Sequence, residues 1–285
     1  MAKTKRKDES IASRLRAPKG RVSLADHDPA ATPGIHGDRK EREAALIALA
    51  PQLADLQERL FADGKTGGKR SLLLVLQGMD TAGKGGVLRH AAGLFDPQGL
   101  HLKAFKAPTA EERKHDFLWR IEKEVPAAGM IGVFDRSHYE DVLIARVRKL
   151  APAKEIERRY DAINEFEAKL VASGTVIVKC MLHISTEEQR KRLLARLDDP
   201  TKHWKFNPGD IDERALWSDY QAAYQLALER CNPDTAPWLI VPSDHKSYRN
   251  LAVGHVLLEA LESFGLGWPP GGFDVEEQKL RLAAT

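Results

Sequence analysis

The sequence predicts an α/β protein built on a doubly wound parallel sheet of about five strands, and three observations carry that prediction. Short apolar runs recur at residues 72–76, 100–105, 130–134, 176–184 and 238–241. Helical segments separate them, such as residues 156–170, where Tyr160, Ile163, Phe166 and Leu170 share one face and belong to the core. The first run is apolar on both faces, as a strand covered by helices on both sides must be, and it ends at a glycine-rich loop.

In chain order, residues 1–40 mix Lys, Arg, Pro, Gly and Ser with few large apolar side chains, too few to offset the entropy of ordering them. A mobile basic arm is expected there, either a solvated tail or a contact to a polyanion or a neighbouring subunit. Across residues 40–60, Ala45, Leu46, Leu49, Leu53, Leu56 and Leu60 recur at helical spacing until Gly64, Gly67 and Gly68 break the pattern. Residues 41–275 read as one domain and 276–285 as a tail. Residues 186–229, rich in Arg, Lys, Trp and Tyr, are long enough to form a helical lid.

Composition narrows the classes. With 42% hydrophobic and 30% charged residues the chain resembles a soluble globular enzyme, and no uninterrupted apolar stretch is long enough to span a bilayer. The basic start lacks an apolar segment behind it, so a secretory signal does not fit and a cytoplasmic location is expected. Cys180 and Cys231 lack metal-knuckle spacing and read as packing residues. A balance of 44 basic against 41 acidic residues is too even to require nucleic acid.

The chemistry concentrates in Gly78-Met79-Asp80-Thr81-Ala82-Gly83-Lys84-Gly85-Gly86, which follows a predicted strand and leads into a helical pattern, the context of a phosphate loop. Small residues let backbone N–H groups approach phosphate oxygens, so Gly78, Thr81, Ala82, Gly83, Gly85 and Gly86 are expected to bind phosphate while Lys84 adds charge. The hydroxyl that usually follows the lysine and ligates Mg2+ is missing, because Gly85 occupies its place. Another oxygen must take over, and Asp80 inside the loop is the obvious substitute. A second carboxylate, Asp135, ends the strand of Ile131-Gly132-Val133-Phe134-Asp135-Arg136-Ser137, the Walker B position. Asp80 and Asp135 would share Mg2+, with Arg136 neutralising phosphoryl oxygens.

Four ordered motifs then resemble the second family of polyphosphate kinases over residues 45–270. They are the loop, Lys106-Ala107-Pro108-Thr109-Ala110-Glu111-Glu112, Phe134-Asp135-Arg136-Ser137-His138-Tyr139-Glu140-Asp141, and Trp204-Lys205 with Trp217 beyond. The resemblance implies a thymidylate-kinase-like P-loop core, a helical lid, dependence on Mg2+, and transfer of the terminal phosphoryl of inorganic polyphosphate to an adenine nucleotide. It makes Asp80 and Asp135 the metal and activating carboxylates, with Lys84, Arg136 and a lid arginine, Arg196 or else Arg192, stabilising charge. The loop and Phe117-Leu118-Trp119-Arg120 look most like the subgroup that phosphorylates AMP and ADP, although Gly85 stands where that subgroup often carries Asp. Self-association is a further expectation.

Lys106, Thr109, Glu112 and Arg120, and Lys202 and Lys205 from the lid, are expected to contact nucleotide or polyphosphate. His138 reads as a structural hydrogen-bonding residue, because phosphate acceptors are already anionic and need no strong base. Trp204 and Trp217 fit either adenine stacking or lid anchoring. Two other readings stay open: an ATP-dependent nucleotide kinase, and a non-catalytic polyanion-binding P-loop protein.

Overall fold

The structure is a computed structural model and describes residues 10–285. In chain order its elements are α1 (Ile11–Leu15), α2 (Arg39–Ala48), α3 (Ala50–Lys65), β1 (Ser71–Gln77), α4 (Lys84–His90), β2 (Leu100–Ala104), α5 (Trp119–Glu122), β3 (Ile131–Asp135), α6 (Ile144–Val147), α7 (Ala153–Ala172), β4 (Thr175–His183), α8 (Thr186–Leu197), α9 (Gly209–Ala215), α10 (Trp217–Arg230), β5 (Trp238–Pro242), α11 (Lys246–Glu262) and α12 (Val275–Ala283).

All five apolar runs are strands, and the sheet is wholly parallel in the order β2-β3-β1-β4-β5. β1 is central, and all seven of its residues are buried because helices cover both faces. On one side α2, α3, α4 and α11 pack together; on the other, α6 and α7 pack together and α10 packs on α6. Leu49 and Pro51 split the helical run at residues 40–60 into α2, opened by a capping box between Asp38 and Glu41, and α3, with Pro51 in its first turn.

The expected mobile arm does not hold for residues 10–40. The Ala17 amide donates to the Trp238 carbonyl at 2.8 Å, and Arg16 bridges antiparallel to Leu239, so this segment closes the β5 edge of the sheet. Glu259 accepts from the Ile11 and Ala12 amides, and Leu15, Ala17, Val22, Leu24 and Ile35 are buried in the core. Those few apolar side chains suffice because they fill a cleft that the body provides. Residues 1–9 lie outside the described residues. Residues 276–285, expected as a tail, carry most of the exposed helix α12.

The lid region is helical but is fastened at both ends. Gln189 donates to the Asp80 carbonyl at 3.0 Å from α8, and Tyr220, Ala223, Tyr224, Ala227 and Leu228 bury α10. Residues 198–216 between these anchors bury no side chain.

Beneath the β3 end lies a buried ionic cluster. Lys179 Nζ reaches Glu167 at 2.6 Å, the Tyr139 hydroxyl at 3.0 Å and the Cys231 carbonyl at 2.8 Å, while Tyr139 and His138 also meet Glu167. The cluster ties β4 and α7 to the turn that follows Asp135. It confirms His138 as a structural partner, fully buried. Cys180 and Cys231 are buried free thiols, each pushed up to about 12 by burial, as packing cysteines should be.

Candidate active site

Residues 78–86 connect β1 to α4 at the carboxyl end of the sheet, where an open α/β fold gathers its ligands. Gly83 lies at φ +114°, and a Cβ there would sit 1.8 Å from Arg249 Nη1. Glycine is therefore required both for the turn and for the arginine beneath it. Thr81 takes a left-handed φ of 63°. Lys84 folds back so that Nζ donates to the Gly78 carbonyl at 2.7 Å, and burial lowers its pKa although Asp80 opposes the shift.

Parallel pairing sets Asp135 level with Leu76 on β1, beside the start of the loop. The next residue, Arg136, adopts a left-handed φ of 63°, and its amide donates to the Leu76 carbonyl at 3.1 Å. A bulky residue holds such a backbone only where its surroundings impose it, and such strain gathers at functional sites. The turn aims the guanidinium at Asp80, with Nη2 2.9 Å from Oδ1. Burial alone would lower the Arg136 pKa, but Glu140, Asp80 and Asp135 outweigh it, so the net shift is upward and the charge is permanent.

Asp80, Lys84, Asp135 and Arg136 thus converge, as the sequence predicts. Both aspartates are half-buried, and the Asp135 carboxylate accepts no hydrogen bond from any described residue. Among the described residues no group of three or more His, Cys, Asp or Glu side chains is placed to hold a metal. Two carboxylates beside a phosphate loop fit a small hard cation that takes its other oxygens from water and substrate phosphates.

Residues that the sequence reading did not single out complete the pocket. Glu140, Asp210, Glu213, Tyr220 and Tyr224 line a cavity of about 230 Å³ with Gly78, Asp80 and Arg136. Burial raises the Glu140 pKa against the pull of Arg136 and Lys84. In the amide orientation that suits both its ends, Gln77 donates to Glu140 at 2.9 Å. Glu140 stands inside a quoted motif, so its position was visible; its burial was not. Arg249 gave no local signal. Buried at 3% exposure, it donates to the Ala82 carbonyl at 3.0 Å and is lowered to about 9 by burial and by Arg192.

The lid arginines separate. Arg192 is buried and makes five hydrogen bonds, to Glu188 and to the carbonyls of Thr81, Ala82, Ser243 and Asp244. It braces the loop from behind, with no donor left for a phosphoryl group. Arg196 is held more loosely, 3.2 Å from the Lys205 carbonyl and 3.4 Å from Asp210, a carboxylate of the pocket.

The residues after β2 also differ from expectation. Arg120 is buried, donating to the Lys106 carbonyl at 2.8 Å and pairing with Asp141 at 3.5 Å. Thr109 and Glu112 cap each other reciprocally, leaving Lys106 as the exposed cation of that set. Lys202 pairs with Asp199 on the surface, and Lys205 lies over the ring of Trp204, itself 78% exposed. Trp217 packs against the core.

A parallel sheet ordered 2-3-1-4-5, a phosphate loop after its central strand and a carboxylate at the end of the neighbouring strand define a P-loop kinase. Comparison with known proteins narrows the class. The model of the polyphosphate kinase 2 (PPK2) family matches residues 36–265, and the chain belongs to that family. An AMP/ADP-polyphosphate phosphotransferase of Meiothermus ruber is 42% identical over 252 residues, 88% of this chain and 93% of the relative. An ADP-polyphosphate phosphotransferase of Rhodopseudomonas palustris is 43% identical, covering 79% of this chain and 80% of the relative. The crystal structure of polyphosphate kinase 2 from Arthrobacter aurescens TC1 superposes with a TM-score of 0.95 at 55% identity, covering 98% of each chain.

Proposed function

We propose that the protein transfers the terminal phosphoryl group of inorganic polyphosphate to ADP and to AMP, reversibly and with Mg2+, at the pocket between the phosphate loop and Arg136. The observation that carries this reading is that two half-buried carboxylates, Asp80 and Asp135, both act on the charges of Lys84 and Arg136, while Asp80 and Arg136 line one open cavity. An oxygen of the acceptor phosphate attacks the terminal phosphorus, the bridging P–O bond breaks, and the donor leaves one phosphate shorter. Asp80 and Asp135 would hold the cation, whose chemistry is to neutralise non-bridging oxygens and orient both substrates. Lys84 and the loop amides bind the donor, and Arg136 balances charge on the moving group. Little proton transfer is needed, because the acceptor is already anionic.

Residues 198–216, carrying Lys202 and Lys205, would close over the pocket beside Arg196 at the end of α8 and exclude water, limiting hydrolysis of the donor. Among the described residues no helix is long and apolar enough to cross a membrane, and the reading keeps the expectation of a self-associating cytoplasmic enzyme.

The test is product analysis after mixing purified protein, Mg2+, long-chain polyphosphate and either AMP or ADP. ATP from ADP, and ADP followed by ATP from AMP, is the expected pattern. Turnover with ATP as donor but none with polyphosphate would replace this reading by an ATP-dependent nucleotide kinase.

A further inference from the structure

A second concavity lies away from the catalytic pocket and shares no described lining residue with it. It is open, has a volume of about 550 Å³, and sits where residues 24–29 cross the end of β4 and the first turns of α8 and α10. Leu24, Pro29, Ile184 and Trp217 form its apolar wall. The crossing segment is held in place, because the Leu24 amide donates to Gln225 at 2.9 Å and the Val22 amide to Glu229 at 2.8 Å. The cavity is therefore a fixed part of the fold, with the size and mixed lining of a small-molecule site. Trp217, which by sequence fits either adenine stacking or lid anchoring, lines this cavity and not the catalytic pocket.

Two polar groups in the wall lack partners. His183 closes β4 and is 5% exposed, and its Nε2 lies 3.0 Å from the His27 carbonyl, so Nε2 carries the ring hydrogen. Burial lowers the pKa of the ring against the pull of the His27 and Leu24 backbone, and the neutral ring keeps Nδ1 as a bare acceptor without a partner. The amide nitrogen of Gln221 is a buried donor without a partner. Gln221 as a whole is half-buried, so its amide can turn to meet a ligand. Buried polar atoms are rarely left unsatisfied, and a ligand that pairs with them recovers what the fold has forgone. Asp28 and Glu187, exposed carboxylates on the same cavity, would repel a phosphate group.

One acceptor, one donor and a half-buried indole describe a flat, uncharged partner that offers a donor and an acceptor on one edge. An aminopurine does so: its exocyclic amine donates, a ring nitrogen accepts, and its face stacks on Trp217. An ammonium group would suit the two carboxylates but would leave the Gln221 nitrogen facing another donor. We propose that this cavity binds adenine in an uncharged form, as its nucleoside, at a site separate from the one where the acceptor nucleotide reacts.

The experiment titrates adenosine into the full-length protein by calorimetry, with ADP and Mg2+ kept saturating so that the catalytic pocket is filled. Adenosine is expected to bind with a stoichiometry of about one. Gln221→Leu, at a half-buried position, is expected to raise its Kd about tenfold or more while the KM of ADP stays within about twofold. Adenosine with its amine dimethylated, which has lost the donor, should bind the native protein about tenfold more weakly. Failure of adenosine to bind beside ADP, an unchanged Kd in Gln221→Leu, or equal binding of the dimethylated nucleoside would overturn the assignment. So would putrescine displacing adenosine at equal affinity, which would make the cavity a cation site. Calorimetry needs no turnover, so this result stands or falls apart from the proposed reaction.

Discussion

At the level of single residues, the site stores cost where chemistry needs it. Glu140 is a carboxyl whose burial raises its pKa against the pull of Arg136 and Lys84, so its charged form costs more in the fold than in the unfolded chain. Its contribution to stability is complete below the ordinary value of 4.5 and is lost as pH rises through the raised native value. Glu140→Gln is therefore predicted to stabilise the protein at pH 8 by roughly 0.5–2 kcal/mol, with a smaller gain at pH 5, while lowering turnover. Thermal melts at the two pH values check the sign; an equal or reversed gain contradicts it. Gly83→Ala should do the opposite. With a left-handed backbone and Arg249 in the space of the new methyl, it should cost about 2–4 kcal/mol and weaken phosphate binding, visible as a lowered Tm and a raised KM. Asp80, Lys84, Asp135 and Arg136 were legible in sequence because a loop and a strand end fix backbone position. Arg192 and Arg120 were not, because nothing local says whether a guanidinium faces substrate or the carbonyls of its own chain.

At the level of elements, the five strands were legible because central parallel strands are apolar on both faces, and β1 is the clearest case. Residues 10–40 were misread for a related reason. Their apolar residues are sparse, and only the exposed β5 edge and the cleft beside α11 give Leu15, Val22 and Leu24 something to bury against. Removing residues 1–24 is predicted to lower Tm and promote aggregation through the uncovered edge, measurable by light scattering on heating. The Lys179–Glu167 cluster makes a second element-scale prediction. Lys179→Met strands a buried carboxylate and should cost about 3–5 kcal/mol, whereas pairing it with Glu167→Leu should recover much of that loss. Because the cluster supports the turn carrying Arg136 and Glu140, the double variant should still show reduced kcat. Full activity there would make the cluster a matter of stability alone.

Across the whole molecule, a rigid sheet presents a loop, two carboxylates and an arginine at one end, while residues 198–216 bury no side chain. Both flanks of that segment are bolted down, through Gln189 and Arg192 on one side and through buried α10 on the other. Positive charge already stands beside the loop in Lys84 and Arg136, so closure asks for movement of residues 198–216 and of no larger part. In the proposed reaction, Asp80 and Asp135 hold the cation that makes polyphosphate a donor. Asp135→Asn, which keeps the shape of the side chain and removes its charge, tests it most directly when polyphosphate turnover is measured at saturating Mg2+ alongside Tm. Turnover is expected to fall by about a hundredfold or more while Tm stays within a few degrees of the native protein. Turnover at the native rate with Tm unchanged would contradict it.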